Sequence, residues 1–138
     1  DWTLSRGLGD VYKRQMRIHS DNFVKKWFNR HLNIHPSLLP SFKGLNTHKK
    51  AIEAGVKFAG CTVHMVRPGV DEGPIIGQAI TSLDASDNEE LLAAKILKLE
   101  HRLYPVCLQL FAENLIKVNH DKVNYSMKAN KRLEGFKI

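Results

Sequence analysis

The eight residues Asn33-Ile34-His35-Pro36-Ser37-Leu38-Leu39-Pro40 constrain this chain more than any other stretch. They set an amide and an imidazole two positions apart at the end of an apolar run. A strand alternates faces with period two, so Asn33 and His35 project to the same side. Pro36 cannot donate to a ladder and biases His35 toward extended backbone, so the strand stops there. Two chemically useful side chains therefore stand at the carboxyl end of a strand, where open α/β sheets bind their ligands. The plainer alternative is a strand end with two solvated polar groups, and the pair by itself does not decide between them.

The chain around this strand has 138 residues, enough for one modest domain with a core. Its 43% hydrophobic and 25% charged residues are those of an ordinary soluble domain. No apolar run approaches the roughly 18 residues that a membrane span needs, and no secretory signal opens the chain, so the expected location is cytoplasmic. Cys61 and Cys107 lie in apolar contexts and read as small buried hydrophobes. The net charge of +7 suggests nucleic acid until it is located. Residues 16–116 hold twelve Lys/Arg against ten Asp/Glu, whereas 117–138 hold six against two. The excess is thus largely a basic tail, expected to be a solvated end, and nucleic-acid binding is not the favoured reading.

Residues 1–15 carry no clear period, and 9–15 read like a translated sequencing adapter, so a non-native leader is expected there. Apolar Phe23, Val24, Trp27 and Phe28 predict a short amphipathic helix over 21–29. Strands are expected at 31–35, 59–66 and 74–82. In the second of these Thr62 and His64 share one face, and Cys61, Val63 and Met65 share the other. A helix over 47–54 is expected to be capped by Thr47 and closed by Gly55. Asp87-Asn88-Glu89-Glu90 reads as an Asp-initiated capping box opening a helix to about residue 115, which Pro105 should kink or break. The tail is expected to hold one or two short strands.

Three further stretches follow in order: Lys43-Gly44-Leu45-Asn46-Thr47-His48, Gly60-Cys61-Thr62-Val63-His64-Met65-Val66, and Val70-Asp71-Glu72-Gly73-Pro74-Ile75-Ile76. Together with Met16-Arg17-Ile18 and the Asn/His strand they resemble the folate-dependent formyltransferases over roughly 16–115. Within that family the chain is most similar to the branch that acts on glycinamide ribonucleotide. The tRNA-directed branch tends to carry Arg-Gly-Ala after the Leu-Leu-Pro. The hydrolases of formyl-folate tend to carry a second His where Pro36 stands and Pro-Tyr-His in place of Asn46-Thr47-His48. Asp71-Glu72-Gly73-Pro74 fits the hydrolases equally well, so hydrolysis stays open beside transfer.

The resemblance implies an α/β fold: the C-terminal part of a Rossmann-like, mostly parallel sheet whose N-terminal half is missing. Residues 16–116 would form the folate-binding catalytic part and 117–138 the basic tail. The implied co-substrate is 10-formyltetrahydrofolate, with no metal. The partners are small molecules, formyl-folate and glycinamide ribonucleotide, with no membrane, and the oligomeric state is not readable. Formyl transfer to an amine passes through a tetrahedral oxyanion and moves a proton, so it needs donors and a proton carrier. The family assigns these roles to the residues matching Asn33, His35 and Asp71, with Asp71 orienting His35. Met16, Arg17, Ile18, Asn33, Val70 and Asp71 would line the folate pocket, although His19 departs from the apolar residue usual there. Glu100 matches a carboxylate on the acceptor-amine side; its alternative is a helix-surface Glu beside Lys98. Thr62 would support the site by bonding a water or Asp71, or be an ordinary strand threonine, and His48 would be structural or supporting. His64 is expected to pack or hydrogen-bond, not to catalyse. Asn46 stands where some relatives carry His, and His101 and His120 carry no argument beyond surface placement. The family's glycine-rich phosphate loop has no counterpart, so the chain is expected to be inactive by itself. An unrelated alternative is a non-catalytic basic binding module using Lys128, Lys131, Arg132 and Lys137.

Overall fold

The computed structural model describes residues 31–137. The expected helix at 21–29, the Met16-Arg17-Ile18 stretch and the leader lie outside the described residues. Among the described residues, strand β1 (Leu32–His35), helix α1 (Thr47–Ala54), strands β2 (Phe58–Met65) and β3 (Ile75–Ser82), and the long helix α2 (Glu89–Ala112) follow in order. They form a three-stranded sheet in the order β1-β2-β3.

Both pairings are antiparallel, which corrects the expectation of a mostly parallel sheet for this part of the chain. The nine residues 66–74 joining β2 to β3 explain the second pairing, because a parallel crossover needs a dozen or more. β1 runs back along β2 with Leu32 opposite Met65 and His35 opposite Thr62. The period-two argument for β1 holds: Leu32 and Ile34 are each 1% exposed and face the core.

That core lies between one face of the sheet and α2. Leu32, Ile34, Cys61, Val63, Met65 and Ala79 come from the sheet; Leu92, Ile96, Leu103, Cys107 and Leu110 form the buried stripe of α2. The helix comes close enough that a Cβ on Gly77 would stand 2.9 Å from the Cys107 sulfur. β2 is buried along seven of its eight residues, so it has protein on both faces.

The helix ends differ from the expected ones by single positions. Asn46, in the left-handed region at φ 58°, is the N-cap of α1, and Thr47 is the buried first helical residue. Gly55, at φ 69°, closes α1 as expected. Asn88, not Asp87, caps α2, its Oδ1 accepting from the Leu91 N–H at 2.8 Å. Asp87 is engaged elsewhere: Lys95 donates to its Oδ2 at 2.6 Å. Pro105 does not break α2, which continues to Ala112; both Pro105 and His101, whose carbonyl the proline leaves unmatched, face solvent.

The basic tail is not a solvated end. It forms a hairpin of β4 (Ile116–Asn119) and β5 (Lys122–Tyr125), helix α3 (Met127–Leu133) and a 3₁₀ turn over Glu134–Phe136. Ile116, Ala129 and Phe136 join the core. The Tyr125 hydroxyl donates to the Ile76 carbonyl at 2.8 Å, tying the tail to β3.

Candidate active site

The sheet face away from α2 collects the polar side chains of all three strands. Asn33 pairs with His64 and His35 with Thr62 across β1 and β2, and Thr62 pairs with Gln78 across β2 and β3. Directly opposed residues in an antiparallel pair share a face, so these five form one polar patch on the sheet. Of them, Thr62 and His64 are buried with His35, whereas Asn33 is half-buried.

Asp71 reaches this patch from the 66–74 loop. Its φ of 53° lies in the left-handed region, which Asp adopts more readily than larger side chains. Two positions on, a Cβ at Gly73 would overlap the Met65 carbonyl oxygen, so the loop closes tightly only with glycine there. The Asp71 carboxylate is 10% exposed and has three neighbours. Its Oδ2 accepts the Gly44 N–H at 2.9 Å and lies 3.5 Å from His35 Nδ1. Its Oδ1 lies 3.7 Å from His64 Nε2.

The second nitrogen of each imidazole meets a backbone carbonyl. His35 Nε2 is 3.0 Å from the Phe42 oxygen, and His64 Nδ1 is 3.0 Å from the Met65 oxygen. A carbonyl only accepts, so both of those nitrogens carry hydrogen. In its neutral form each ring then turns a lone pair toward Asp71, and in its charged form an N–H. Burial holds the His64 pKa below the usual histidine value; the neighbouring His35 pushes the same way, and the Met65 carbonyl and Asp71 oppose it.

Thr62 corrects an expectation. Its hydroxyl does not bond Asp71; it staples the loop after β1. Oγ1 donates to the Ser37 carbonyl at 2.7 Å and accepts from the Leu39 N–H at 3.1 Å and the Gln78 amide at 3.0 Å. The Gln78 amide also donates to the Leu39 carbonyl at 2.9 Å. Further along the loop, Phe42 sits at φ 55°, a conformation that costs a bulky residue about 1–2 kcal/mol. Its carbonyl is held from two sides, by His35 Nε2 and by the Ser37 hydroxyl at 3.2 Å. The strained turn thus delivers the oxygen that fixes the His35 ring.

The remaining expected residues are placed as follows. Val70 is exposed beside Asp71, and His48 sits in the first turn of α1. Glu100 is not on a helix surface: it is 3% exposed and lies on the buried side of α2 between Ile96 and Tyr104. Ser37, Gly44 and Gln78 were not anticipated. Gln78 had a signal, being the one polar residue amid Ile75-Ile76-Gly77-Gln78-Ala79-Ile80; backbone donors such as Gly44 leave none. Among the described residues, no group of His, Cys, Asp or Glu is arranged to hold a metal ion, and no helix is long and apolar enough to cross a membrane.

A strand-borne Asn/His pair, with an aspartate brought to the histidine by a tight loop, is an arrangement suited to acyl-group chemistry. The chain belongs to the formyl transferase family, whose model matches residues 11–108. It is 52% identical over 103 residues to the trifunctional purine biosynthetic protein adenosine-3 of Gallus gallus, covering 75% of this chain and 10% of that protein. It is also similar to the crystal structure of phosphoribosylglycinamide formyltransferase from Anaplasma phagocytophilum, with 48% identity, a TM-score of 0.76, and coverage of 78% of this chain and 53% of that one. A formyltetrahydrofolate deformylase from Pseudomonas syringae superposes as well, with a TM-score of 0.77, but shares 29% identity over 82% of this chain and 38% of that one. The chain therefore spans about half the length of the Anaplasma transferase and a tenth of the avian protein.

Proposed function

We propose that this chain carries the transfer chemistry of a phosphoribosylglycinamide formyltransferase, moving a formyl group from 10-formyltetrahydrofolate to the amine of glycinamide ribonucleotide in the cytoplasm. The observation that supports this most is the His35 ring held between the Asp71 carboxylate and the Phe42 carbonyl, on the same strand face as Asn33. In this reading the acceptor amine attacks the formyl carbon, and the bond from that carbon to the folate nitrogen breaks. Asn33 offers its amide N–H to the oxyanion that forms between these steps, which is the use of a fixed donor in acyl transfer. His35 exchanges protons at Nδ1, the nitrogen not held by the Phe42 carbonyl, taking the proton lost by the amine and returning one to the leaving folate nitrogen, while Asp71 keeps the ring aligned. Val70 and the Met16-Arg17-Ile18 stretch are assigned to the folate pocket, and Glu100 to the acceptor side. Thr62 supports the site through the loop that it staples.

Hydrolysis, with water in place of the amine, is favoured by one observation, the close superposition on the deformylase. The identity of 48% with the transferase against 29% with the deformylase weighs the other way. The experiment replaces the aligned half of the Anaplasma transferase with residues 16–138 of this chain. It then follows formyl-folate consumption by absorbance, with and without glycinamide ribonucleotide. Consumption that requires the amine is expected. Equal consumption without it would make the chain a hydrolase, and a folded hybrid that consumes none would overturn both readings.

A further inference from the structure

His64 is a buried histidine on the active face that the transfer chemistry does not use. Its ring is fixed at one end, where Nδ1 donates to the Met65 carbonyl at 3.0 Å. Its other nitrogen, Nε2, is buried and has no hydrogen-bond partner among the described residues, yet it is aimed at Asp71 Oδ1 at 3.7 Å. That separation is too long for a hydrogen bond as it stands, and both atoms are acceptors when neither carries a proton. One proton on either atom converts an opposition of lone pairs into a charge-assisted bond. The Asp71 carboxylate is thus flanked symmetrically, His35 on Oδ2 and His64 on Oδ1, and each ring is anchored behind by a carbonyl.

We propose that His64 is a positioning residue for Asp71 in its charged form: the proton that Nε2 gains as the pH falls bonds Asp71 Oδ1 and fixes the carboxylate plane so that Oδ2 stays on His35 and the Gly44 N–H. The proposal rests on the functional reading above for its importance to turnover, but not for the contact itself. Asp71 hangs from a nine-residue loop, and Gly44 and His35 both engage its Oδ2. Without a partner on Oδ1 the carboxylate could rotate about its own axis while keeping only one of these contacts. His64 is suited to stop that rotation because it belongs to the central, buried strand of the sheet, directly opposite Asn33. Among the described residues, the charged and titratable groups that face it are Asp71 from the loop and His35 from β1; β3 presents Ile75 as its register partner. Burial disfavours a charge on His64, so its proton depends on Asp71 being there.

The test is imidazole ¹⁵N NMR of the 138-residue chain as a function of pH, for the parent and for Asp71→Asn. Asparagine tolerates the left-handed backbone at position 71, so the loop should keep its shape. In the parent, Nδ1 of His64 should stay protonated throughout while Nε2 titrates. In Asp71→Asn the His64 titration should move to lower pH. Identical curves in the two proteins, or a shift to higher pH, would overturn the proposal. A second variant, His64→Gln, is read on the His35 ring, whose ¹⁵N signals should move when the carboxylate is released; unchanged signals would also overturn it. Neither readout needs turnover, so a failure of formyl transfer would leave them interpretable.

Discussion

Replacing Thr62 by valine tests whether the loop after β1 is held by one hydroxyl. The side chains are nearly the same shape, so the change removes hydrogen bonds and little packing. Three contacts are lost: the bond given to the Ser37 carbonyl and the bonds received from the Leu39 N–H and the Gln78 amide. Both backbone partners are engaged at a fully buried Thr62, and each costs about 1–3 kcal/mol if left unmatched there. Gln78 keeps its bond to the Leu39 carbonyl, so its loss adds little. The expected destabilisation is therefore about 2–6 kcal/mol. Thr62→Ser keeps the hydroxyl and loses one methyl, so it should cost roughly 1 kcal/mol. Urea unfolding of the three proteins gives the values, and amide exchange at Leu39 should accelerate in the valine variant alone. A valine variant within about 0.5 kcal/mol of the parent, or a serine variant that is the weaker of the two, would refute the assignment.

In the hybrid transferase, His35→Ala should lower kcat by about 10²-fold or more, the scale of a lost acid–base group, and Asn33→Ala by about 10²–10³-fold; steady-state rates at saturating formyl-folate decide both. Because the folded-state pKa of His64 lies below its unfolded value of 6.5, its contribution to stability is complete above that pH and is lost as the pH falls through the folded value. Thermal unfolding should accordingly lose stability below about pH 6.5, and His64→Gln should flatten that part of the curve. Gly77→Ala would place a methyl against Cys107, Leu103 and Leu133 and should cost about 1–3 kcal/mol by calorimetry or urea titration. Cys107 is pushed up to about 12 by burial, and Cys61 is fully buried, so neither thiol should react with a disulfide reagent near pH 8 until the chain unfolds.

The parts of this fold that were legible in the sequence are those written in side-chain period. Leu32 and Ile34 facing the core, Thr62 and His64 opposite Cys61, Val63 and Met65, and the long stripe of α2 all follow from spacings of two or of three and four. Strand direction is not written that way, since an alternating pattern reads the same for parallel and antiparallel partners; only the short 66–74 connection carried that information. Caps were misplaced by one residue where a neighbour competed. Asp87 could cap as well as Asn88 but is taken by Lys95, and Asn46 wins at α1 by tolerating φ 58°. The tail was misread because its charges outnumber its anchors: Ala129, Phe136 and Tyr125 are three residues among many lysines, yet they fix it to the core and to β3. At the site, Asn33, His35 and Asp71 were visible as residue types in order. Phe42, Leu39 and Gly44 act through backbone atoms that every residue has, and no sequence pattern distinguishes a carbonyl that will be used.

Strand β2 has no idle side. Val63 and Met65 belong to the hydrophobic interior, and Thr62 and His64, one residue away from each, face the reactive groups. Any substitution that lets Val63 settle by a fraction of an ångström must carry its two neighbours with it. A selection for heat resistance that rearranged this interior would alter pH response and turnover at the same time, with every residue of the site unchanged. A selection for faster turnover would in turn be paid out as a change in melting behaviour. The two traits are mechanically geared, and variants that separate them should be sought on α1 or on the solvent side of α2.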